Sequence, residues 1–424
     1  MPISPRIPIF ERVSQMKTGN RGSEAARMGS HASESNVALS PWRWWRDQMP
    51  ISSQWAYLDH AAVAPLSLPA AQAIADFADQ AAHQGDTVWP QWAARVEHLR
   101  ELVAQLLTCE SAEICMVPNT TTGINLVAEG WPWQPGDNVV LPEGEFPSNL
   151  FPWQNQQSRG VEIRIVPRHD GEVRLEDLFA RVDDSTRIIA VSWVGYASGF
   201  RCDIGSLVQQ AHQRGVFVFL DAIQGLGMYP LDLSEIPVDF LAADGHKWLL
   251  GPEGAGVAMI RREHIDRLRC GNVGWSSVQN SHNYAAPRFE LRHDARRFEA
   301  GSANMIGAAA LSASLELFLQ VRRHHGQQAI ADRVIGLVEK LDESLRAEGA
   351  ITRLPQSPAN RSSILTFELP GVNPSAIRKR AFEQKVVVSC RDGGVRASIH
   401  AYNDAEDLAR LVDVVRSCKN GNPG

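Results

Sequence analysis

The chain has 424 residues, of which 44% are hydrophobic, so it can form a sizeable core divided into two or three structural units. Its 48 acidic and 42 basic residues give a formal charge of -6, and no basic block suits a nucleic-acid or membrane surface. No apolar run approaches the ~18 residues of a membrane span. Six scattered cysteines without a CxxC pair are typical of reduced thiols, and we expect a cytoplasmic protein without a metal site.

The amino-terminal 60 residues are predicted to form two parts. Residues 1–40 are rich in Ser, Gly and Arg and contain no apolar signal-peptide core. This composition predicts a disordered tail or an over-extended start site. Residues 41–60 begin with Trp42, Trp44 and Trp45, which indicate a short helix that packs the amino end onto the body.

The region 61–310 is predicted to be a large α/β domain. Apolar spacing over residues 69–107 predicts one or two amphipathic helices. Short apolar runs beyond them predict buried strands at Ile114–Val117, Val139–Leu141, Val161–Val166, Arg187–Ser192, Val216–Leu220 and Phe240–Ala243. Helical segments separate several of these strands, and that alternation is typical of a mostly parallel sheet.

The region 311–424 is predicted to be a smaller domain. Strands at Ser362–Glu368 and Val386–Ser389 bracket a helical segment at Pro374–Gln384. This order favours an α+β unit that follows two helices, which we place at Ala308–Val321 and Gln327–Glu348.

An acid and an amine follow two of the predicted core strands. Asp221 comes directly after the run Val216–Leu220, and Lys247 lies in the turn after Phe240–Ala243. Open α/β sheets bind ligands at the carboxyl ends of their strands. Pyridoxal phosphate needs both groups, because an amine forms a Schiff base with its aldehyde and a carboxylate keeps its ring nitrogen protonated. We therefore predict that Lys247 and Asp221 are catalytic residues of a pyridoxal-phosphate enzyme.

A run of threonines, Thr120 to Thr122, lies where a predicted strand meets a predicted helix. Hydroxyl groups and free backbone N–H groups at a helix N-terminus bind anions. The segment is therefore a candidate phosphate site, although any one of these residues could simply cap the helix.

Residues 57–415 resemble the class V branch of the pyridoxal-phosphate aminotransferase superfamily. The branch includes cysteine desulfurases, selenocysteine lyases, kynureninases and isopenicillin epimerase-like proteins. The resemblance rests on the segments YLDHAA from Tyr57, DAIQ from Asp221, DGHKW from Asp244 and FEAGS from Phe298. It implies fold type I, with a large cofactor domain, a small carboxy-terminal domain and a homodimer that shares its active sites.

The resemblance also implies a set of cofactor and substrate contacts. Thr120, Thr121 and His246 match phosphate contacts, Gln224 matches a glutamine near the ring hydroxyl, and Ser302 matches a hydroxyl that reaches the phosphate of the neighbouring subunit. Phe146 stands where a ring stacks on the cofactor. The best candidate for binding a substrate carboxylate is Arg396.

Four residues depart from the family pattern. His60 and Tyr196 replace asparagines, Phe146 replaces the stacking histidine, and Asp244 replaces a serine that donates to the phosphate. A phenyl ring cannot transfer a proton, so chemistry that uses the histidine is in doubt. A carboxylate beside a phosphate repels it unless a proton or a cation intervenes. We therefore assign no role to Asp244.

Three functions remain open from the sequence. The first is an enzyme that transaminates, eliminates or epimerises an amino acid or related amine through Lys247. The second is a cysteine desulfurase or selenocysteine lyase, for which Cys390 is the nearest candidate nucleophile, although its apolar approach Val386–Val388 favours a core thiol. The third is a non-catalytic protein of this fold. It is disfavoured because five residues occur together: Asp221, Gln224, His246, Lys247 and Arg396.

Overall fold

A computed structural model describes residues 40–420 of the chain. The prediction of a disordered tail or an over-extended start therefore concerns residues outside the described range. Within that range the structure forms thirteen strands: β1 Ala56–Tyr57, β2 Ile114–Val117, β3 Asn138–Pro142, β4 Glu162–Val166, β5 Thr186–Ser192, β6 Phe217–Asp221, β7 Phe240–Asp244, β8 Gly256–Ile260, β9 Ile351–Arg353, β10 Ile364–Glu368, β11 Val386–Val387, β12 Ser389–Arg391 and β13 Gly394–Ser398.

Helices separate many of these strands. The α-helices of the described residues are Pro41–Asp47, Leu68–His83, Trp89–Leu107, Thr120–Gly130, Phe151–Gln154, Leu175–Phe179, Ile204–His212, Arg262–Ile265, Met305–His325, Ala329–Ala347, Pro374–Glu383 and Ala405–Asn420. The predicted helical region 69–107 is two helices, each with a proline in its first turn, where the missing N–H costs no hydrogen bond. Met305–His325 is long and apolar enough to span a membrane, but 72% of its most apolar window is buried inside the protein.

The large sheet has seven strands in the order β2-β8-β7-β6-β5-β3-β4. The strands from β7 to β4 are parallel, whereas β8 runs antiparallel to both β7 and β2. Alternate residues of β5 to β8 belong to two different apolar clusters, one on each face of the sheet. These strands are therefore buried on both faces, which accounts for their continuous apolar runs in the sequence, whereas the edge strand β4 is only partly buried. The predicted α/β fold with a mostly parallel sheet is confirmed.

The small sheet has four antiparallel strands in the order β12-β13-β10-β9. Its apolar cluster includes Leu337 to Leu345 of the helix Ala329–Ala347, whereas Ile330 and Val334 of the same helix pack on the cluster of the large sheet. The helix Met305–His325 continues through residue 310, where the sequence analysis placed the domain boundary, and it also packs with the large sheet. The helix Ala329–Ala347 therefore begins in the core of the large sheet and ends in the core of the small sheet.

Residues 41–60 contact both cores. Trp44 and Trp45 pack in the cluster of the large sheet, while Ala56 and Leu58 pack in that of the small sheet. β1 also pairs in parallel with β11, with Ala56 opposite Val386. This segment places Asp59 and His60 between the two units.

Candidate active site

The acid and the amine predicted from the sequence lie at neighbouring strand ends. Asp221 is the last residue of β6, and Lys247 follows β7, which pairs with β6 in parallel. Both side chains are buried, with exposed fractions of 2% and 9%. The Ile223 amide donates a 3.1 Å hydrogen bond to Asp221 Oδ1. The sheet therefore holds a carboxylate and an amine close together in a region from which most water is excluded.

Burial shifts both ionisation equilibria towards the neutral forms. Desolvation raises the pKa of Asp221 to about 7; Glu145 adds to the rise, and the Ile223 hydrogen bond and Lys247 oppose it. Desolvation lowers the pKa of Lys247 to about 8, with Asp221 opposing and Arg396 adding to the fall. A lowered pKa increases the fraction of neutral, nucleophilic amine that a lysine carries near neutral pH. The site therefore suits attack on an aldehyde.

Glu145 is a second acid at this site and was not predicted from the sequence. Its Oε1 accepts a 2.8 Å hydrogen bond from the Ser192 amide, and its Oε2 contacts the Ser192 hydroxyl. Ser192 ends β5 and lies opposite Asp221 in the register of β5 and β6. Burial raises the pKa of Glu145. The only sequence signal was a carboxylate directly before Phe146, after the end of β3.

Two aromatic side chains form a wall beside the amine. Lys247 Nζ lies 5.7 Å from the centre of the Phe146 ring, and the Phe146 and Tyr196 rings meet edge to face at 5.3 Å. Phe146 is 44% exposed, so one of its surfaces is available to another ring. The structure thus brings the predicted stacking residue to Lys247.

The threonine run begins a helix, as predicted. Asn119 caps the helix Thr120–Gly130 by accepting from the Thr122 amide. The preceding amides of Thr120 and Thr121 have no intrahelical acceptors. Thr120 Oγ1 accepts a 3.0 Å hydrogen bond from the Asp244 amide at the end of β7, and Thr121 Oγ1 donates to Ser148. The helix N-terminus therefore faces the end of the strand that precedes Lys247.

Asp244 and His246 form a close pair. Asp244 Oδ2 lies 3.0 Å from His246 Nδ1, but Asp244 Oδ1 and His246 Nδ1 have no aligned hydrogen-bond partner within residues 40–420. The His246 ring next to a helix N-terminus is consistent with a site for a phosphate group, whereas the Asp244 carboxylate would repel a phosphate.

Gln224 is held within the chain by both ends of its amide. Its Nε2 donates to the Ala61 carbonyl at 3.0 Å, and its Oε1 accepts from Trp248 Nε1 at 2.6 Å. Gln224 therefore fixes Trp248, the residue that follows Lys247. One N–H of the amide remains for the ring hydroxyl expected from the resemblance.

Arg396 lies in β13 and is 1% exposed. Its Nη1 donates to the Tyr196 carbonyl at 2.8 Å, and its Nη2 donates to Asp59 Oδ1 at 3.1 Å. Burial lowers the pKa of the guanidinium, and Asp59 opposes this effect. The predicted carboxylate-binding arginine is thus beside the aromatic wall, and it already has an acidic partner that the sequence analysis did not assign.

Ser302 lies apart from these residues. It is exposed and lines a cavity of about 650 Å³ together with Thr122, Asn125 and Gly254. Asp221, Phe146 and Lys247 do not line that cavity. Within one chain the structure therefore places Ser302 beside the helix Thr120–Gly130 but does not bring it to the Lys247 amine.

The described residues fit pyridoxal phosphate. A buried amine and acid, an aromatic face and a helix N-terminus converge at one edge of the sheet. Comparison with known proteins defines the family. The model of the class V aminotransferases matches residues 56–411, and the chain belongs to this family. It is a pyridoxal-phosphate-dependent enzyme that acts on an amino acid or a related amine.

Similar proteins cover most of the chain. A cysteine desulfurase of Klebsiella pneumoniae is 31% identical over 84% of this chain and 91% of its own length. A probable cysteine desulfurase of Methanothermobacter thermautotrophicus is 29% identical over 86% of this chain and 95% of its own. The crystal structure of a cysteine desulfurase from Escherichia coli matches with a TM-score of 0.79 and 26% identity, covering 90% of this chain and 98% of the other.

Proposed function

We propose that this enzyme transaminates, eliminates or epimerises an amino acid, with Lys247 as the residue that binds the cofactor covalently. The observation that supports this proposal is the buried pair of Lys247 and Asp221 at adjacent strand ends, beside the face of Phe146. The bound cofactor would accept electrons from a bond broken at the substrate carbon. Lys247 would act as the base at that carbon, and Asp221 would hold a proton on the ring nitrogen.

The other side chains would bind and orient. The N-terminus of the helix Thr120–Gly130, with Thr120, Thr121 and His246, would hold the phosphate, and Phe146 would pack on the ring. Gln224 would keep Trp248 in place. Arg396 would bind the substrate carboxylate, with Tyr196 forming the adjacent wall.

The test of this proposal is the chemical attachment of the cofactor. The protein is loaded with pyridoxal phosphate, reduced with borohydride and digested, and the modified peptide is sequenced by mass spectrometry. We expect one modified lysine, Lys247, and no modification in Lys247→Ala. A modified Lys247→Ala chain, or an unmodified Lys247 in the loaded parent, would show that the assignment is wrong.

A cysteine desulfurase is the second candidate, because the two relatives and the crystal structure described above carry that name. The position of Cys390 argues against a cysteine desulfurase. Cys390 lies in β12 opposite Val395, and Asp392 and Gly393, both with positive φ, form the tight two-residue turn to β13. A thiol in a strand ladder beside a short hairpin lacks the freedom of a nucleophile on a mobile loop.

Sulfide release from cysteine distinguishes the two candidates. We expect weak release by the parent protein and little change in Cys390→Ala. Strong release that disappears in Cys390→Ala, but not in the matched variant Cys418→Ala, would establish the desulfurase instead.

We further propose that the enzyme is a cytoplasmic homodimer with shared active sites. The exposed position of Ser302 beside the helix Thr120–Gly130, away from Lys247, supports a role in the site of a second copy. All six cysteines are free, which suits a reducing compartment.

Subunit mixing tests the shared site. Chains carrying Lys247→Ala are exchanged with chains carrying Ser302→Trp. If Ser302 completes the partner's site, each heterodimer contains one site with both changes and one with neither. Activity should then return to a fraction of the parent value. No recovery after proven exchange would contradict the shared site.

A further inference from the structure

Arg396 has a carboxylate partner within its own chain. Asp59 Oδ1 accepts from Nη2 at 3.1 Å, while Nη1 donates to the Tyr196 carbonyl. These two bonds use one N–H each of Nη1 and Nη2, and Nε is buried without a hydrogen-bond partner among the described residues. A guanidinium carries five N–H donors, so this arginine has unused donors for an incoming anion.

Asp59 is itself held firmly. Its Oδ1 also accepts a 2.8 Å hydrogen bond from the Ser389 hydroxyl, and Ser389 lies opposite Arg396 in the register of β12 and β13. Asp59 in addition forms a parallel bridge with Ser398. The carboxylate thus joins the segment after β1 to two strands of the small sheet, and its side chain is only 13% exposed.

The ion pair of Asp59 and Arg396 is connected to Lys247 through two aromatic residues. Arg396 binds the backbone of Tyr196, whose ring meets Phe146, and the Phe146 ring faces Lys247. The charge of Arg396 also contributes to the lowered pKa of Lys247. A change at Asp59 therefore acts on the position where a substrate carboxylate would bind.

We infer that Asp59 is a positioning residue that acts as the counter-ion of Arg396 and weakens the binding of a substrate carboxylate. This inference rests on the proposed function. An arginine with 1% exposure needs a compensating charge when no ligand is bound. With Asp59 in place, an arriving carboxylate meets a guanidinium whose charge is already balanced, and Asp59 repels it. The Asp59–Arg396 contact therefore stabilises the site when no ligand is bound and lowers its affinity for a carboxylate.

Two carbonyl reagents isolate the effect of the carboxylate. Aminooxyacetate and O-methylhydroxylamine both form oximes with protein-bound pyridoxal phosphate, but only aminooxyacetate carries a carboxylate. The ratio of their second-order rate constants, followed by absorbance, measures the preference for that group. We expect Asp59→Asn to raise this ratio by about tenfold, which is the effect of one nearby charge on an ionisation equilibrium.

Three variants serve as controls. Ser389→Ala removes a hydrogen bond to Asp59 but no charge and should change the ratio less than twofold. Arg396→Met removes the cation and should bring the ratio down towards the value for the free cofactor. Asp59→Glu keeps the charge and should resemble the parent. If Asp59→Asn does not fold, Asp59→Ser replaces it as the variant without charge.

A second measurement uses the protein without cofactor. Asp59→Asn should unfold at a lower temperature than the parent, and added acetate should stabilise it more than it stabilises the parent. An unchanged or lower reagent ratio in Asp59→Asn, with a clear fall in Arg396→Met, would overturn the inference. If neither reagent reacts with the loaded parent, the proposed function fails, and the acetate measurement still decides whether Asp59 competes for Arg396.

Discussion

Ser192 and Asp221 are register partners at the carboxyl ends of two adjacent parallel strands, and Glu145 is bonded to the first of them. Two acids are therefore held at neighbouring strand ends beside one lysine. Like charges in a region of low polarity disfavour ionisation of both. This relationship accounts for part of the raised pKa of Asp221, and it makes the electrostatics of the site depend on a residue outside the recognised motifs.

Asp221→Asn should bind the cofactor but react slowly. The amide retains the shape of the side chain, yet it cannot hold a proton on the ring nitrogen. Each tenfold loss of rate corresponds to about 1.4 kcal/mol of barrier, and we expect several tenfold losses. Absorbance of the loaded variant checks binding, and single-turnover rates check the chemistry. A rate close to that of the parent would rule out the role of Asp221.

Glu145→Gln should stabilise the cofactor-free protein as the pH rises from about 4 to 7. Asp221 has a raised pKa of about 7 when folded and an ordinary pKa when unfolded. The folded state therefore binds more protons in this window, and burial of Asp221 costs stability as the pH increases. Burial also raises the pKa of Glu145, so its own ionisation costs stability in the same direction. Glu145→Gln removes that cost and the repulsion of Asp221 together.

Urea unfolding at several pH values provides the measurement for Glu145→Gln. The advantage of the variant over the parent should grow between pH 4 and 7. Ser192→Ala removes a hydroxyl contact without removing a charge, so it should show no such growth. A pH-independent difference for Glu145→Gln would contradict the electrostatic role.

His60 should make the fold sensitive to acid. It is fully buried, its Nδ1 donates to the Ser398 carbonyl and its Nε2 accepts from the Tyr402 hydroxyl. Desolvation lowers the pKa of His60 to about 4. The unfolded chain therefore binds more protons between pH 4 and 6.5, and roughly 3 kcal/mol of stability is lost as the pH falls through that window. The pKa of neighbouring His400 is also lowered, with the same sign.

His60→Asn is the matched variant for this measurement. An asparagine amide can donate to Ser398 in place of Nδ1, does not reach Tyr402 in place of Nε2, and does not titrate. Unfolding free energies of the variant should fall less steeply below pH 6.5 than those of the parent. Equal slopes would show that His60 is not responsible.

Gly123→Ala should destabilise the fold and weaken cofactor binding. A Cβ at this position would lie 2.6 Å from Ala242 Cβ and 3.4 Å from Ala258 Cβ. The helix Thr120–Gly130 would have to move away from β7, at a cost of about 1–3 kcal/mol. Thr120 would then lose its hydrogen bond to Asp244. Gly336→Ala, at a helical position with open space, is the control and should be neutral or stabilising.

The sequence determined the architecture and the two central residues. Apolar runs such as Phe217 to Leu220 predict buried strands because a sheet covered on both faces needs apolar residues at every position. Asp221 and Lys247 could then be placed at one sheet edge, since parallel strands bring their carboxyl ends together. The helix at Thr120 followed from the same local rules.

Contacts between distant segments were decided only by the tertiary structure. Asp59 and Arg396 are separated by 337 residues, and Glu145 and Ser192 by 47. The local periodicity of the sequence does not predict these pairings. They depend on how the packing of two separate cores places β1, β5 and β13. The same is true of the buried His60, whose partners Ser398 and Tyr402 are 338 and 342 residues away in the sequence. Local sequence therefore specified which groups reach the sheet edge, and long-range packing specified which charges face one another there.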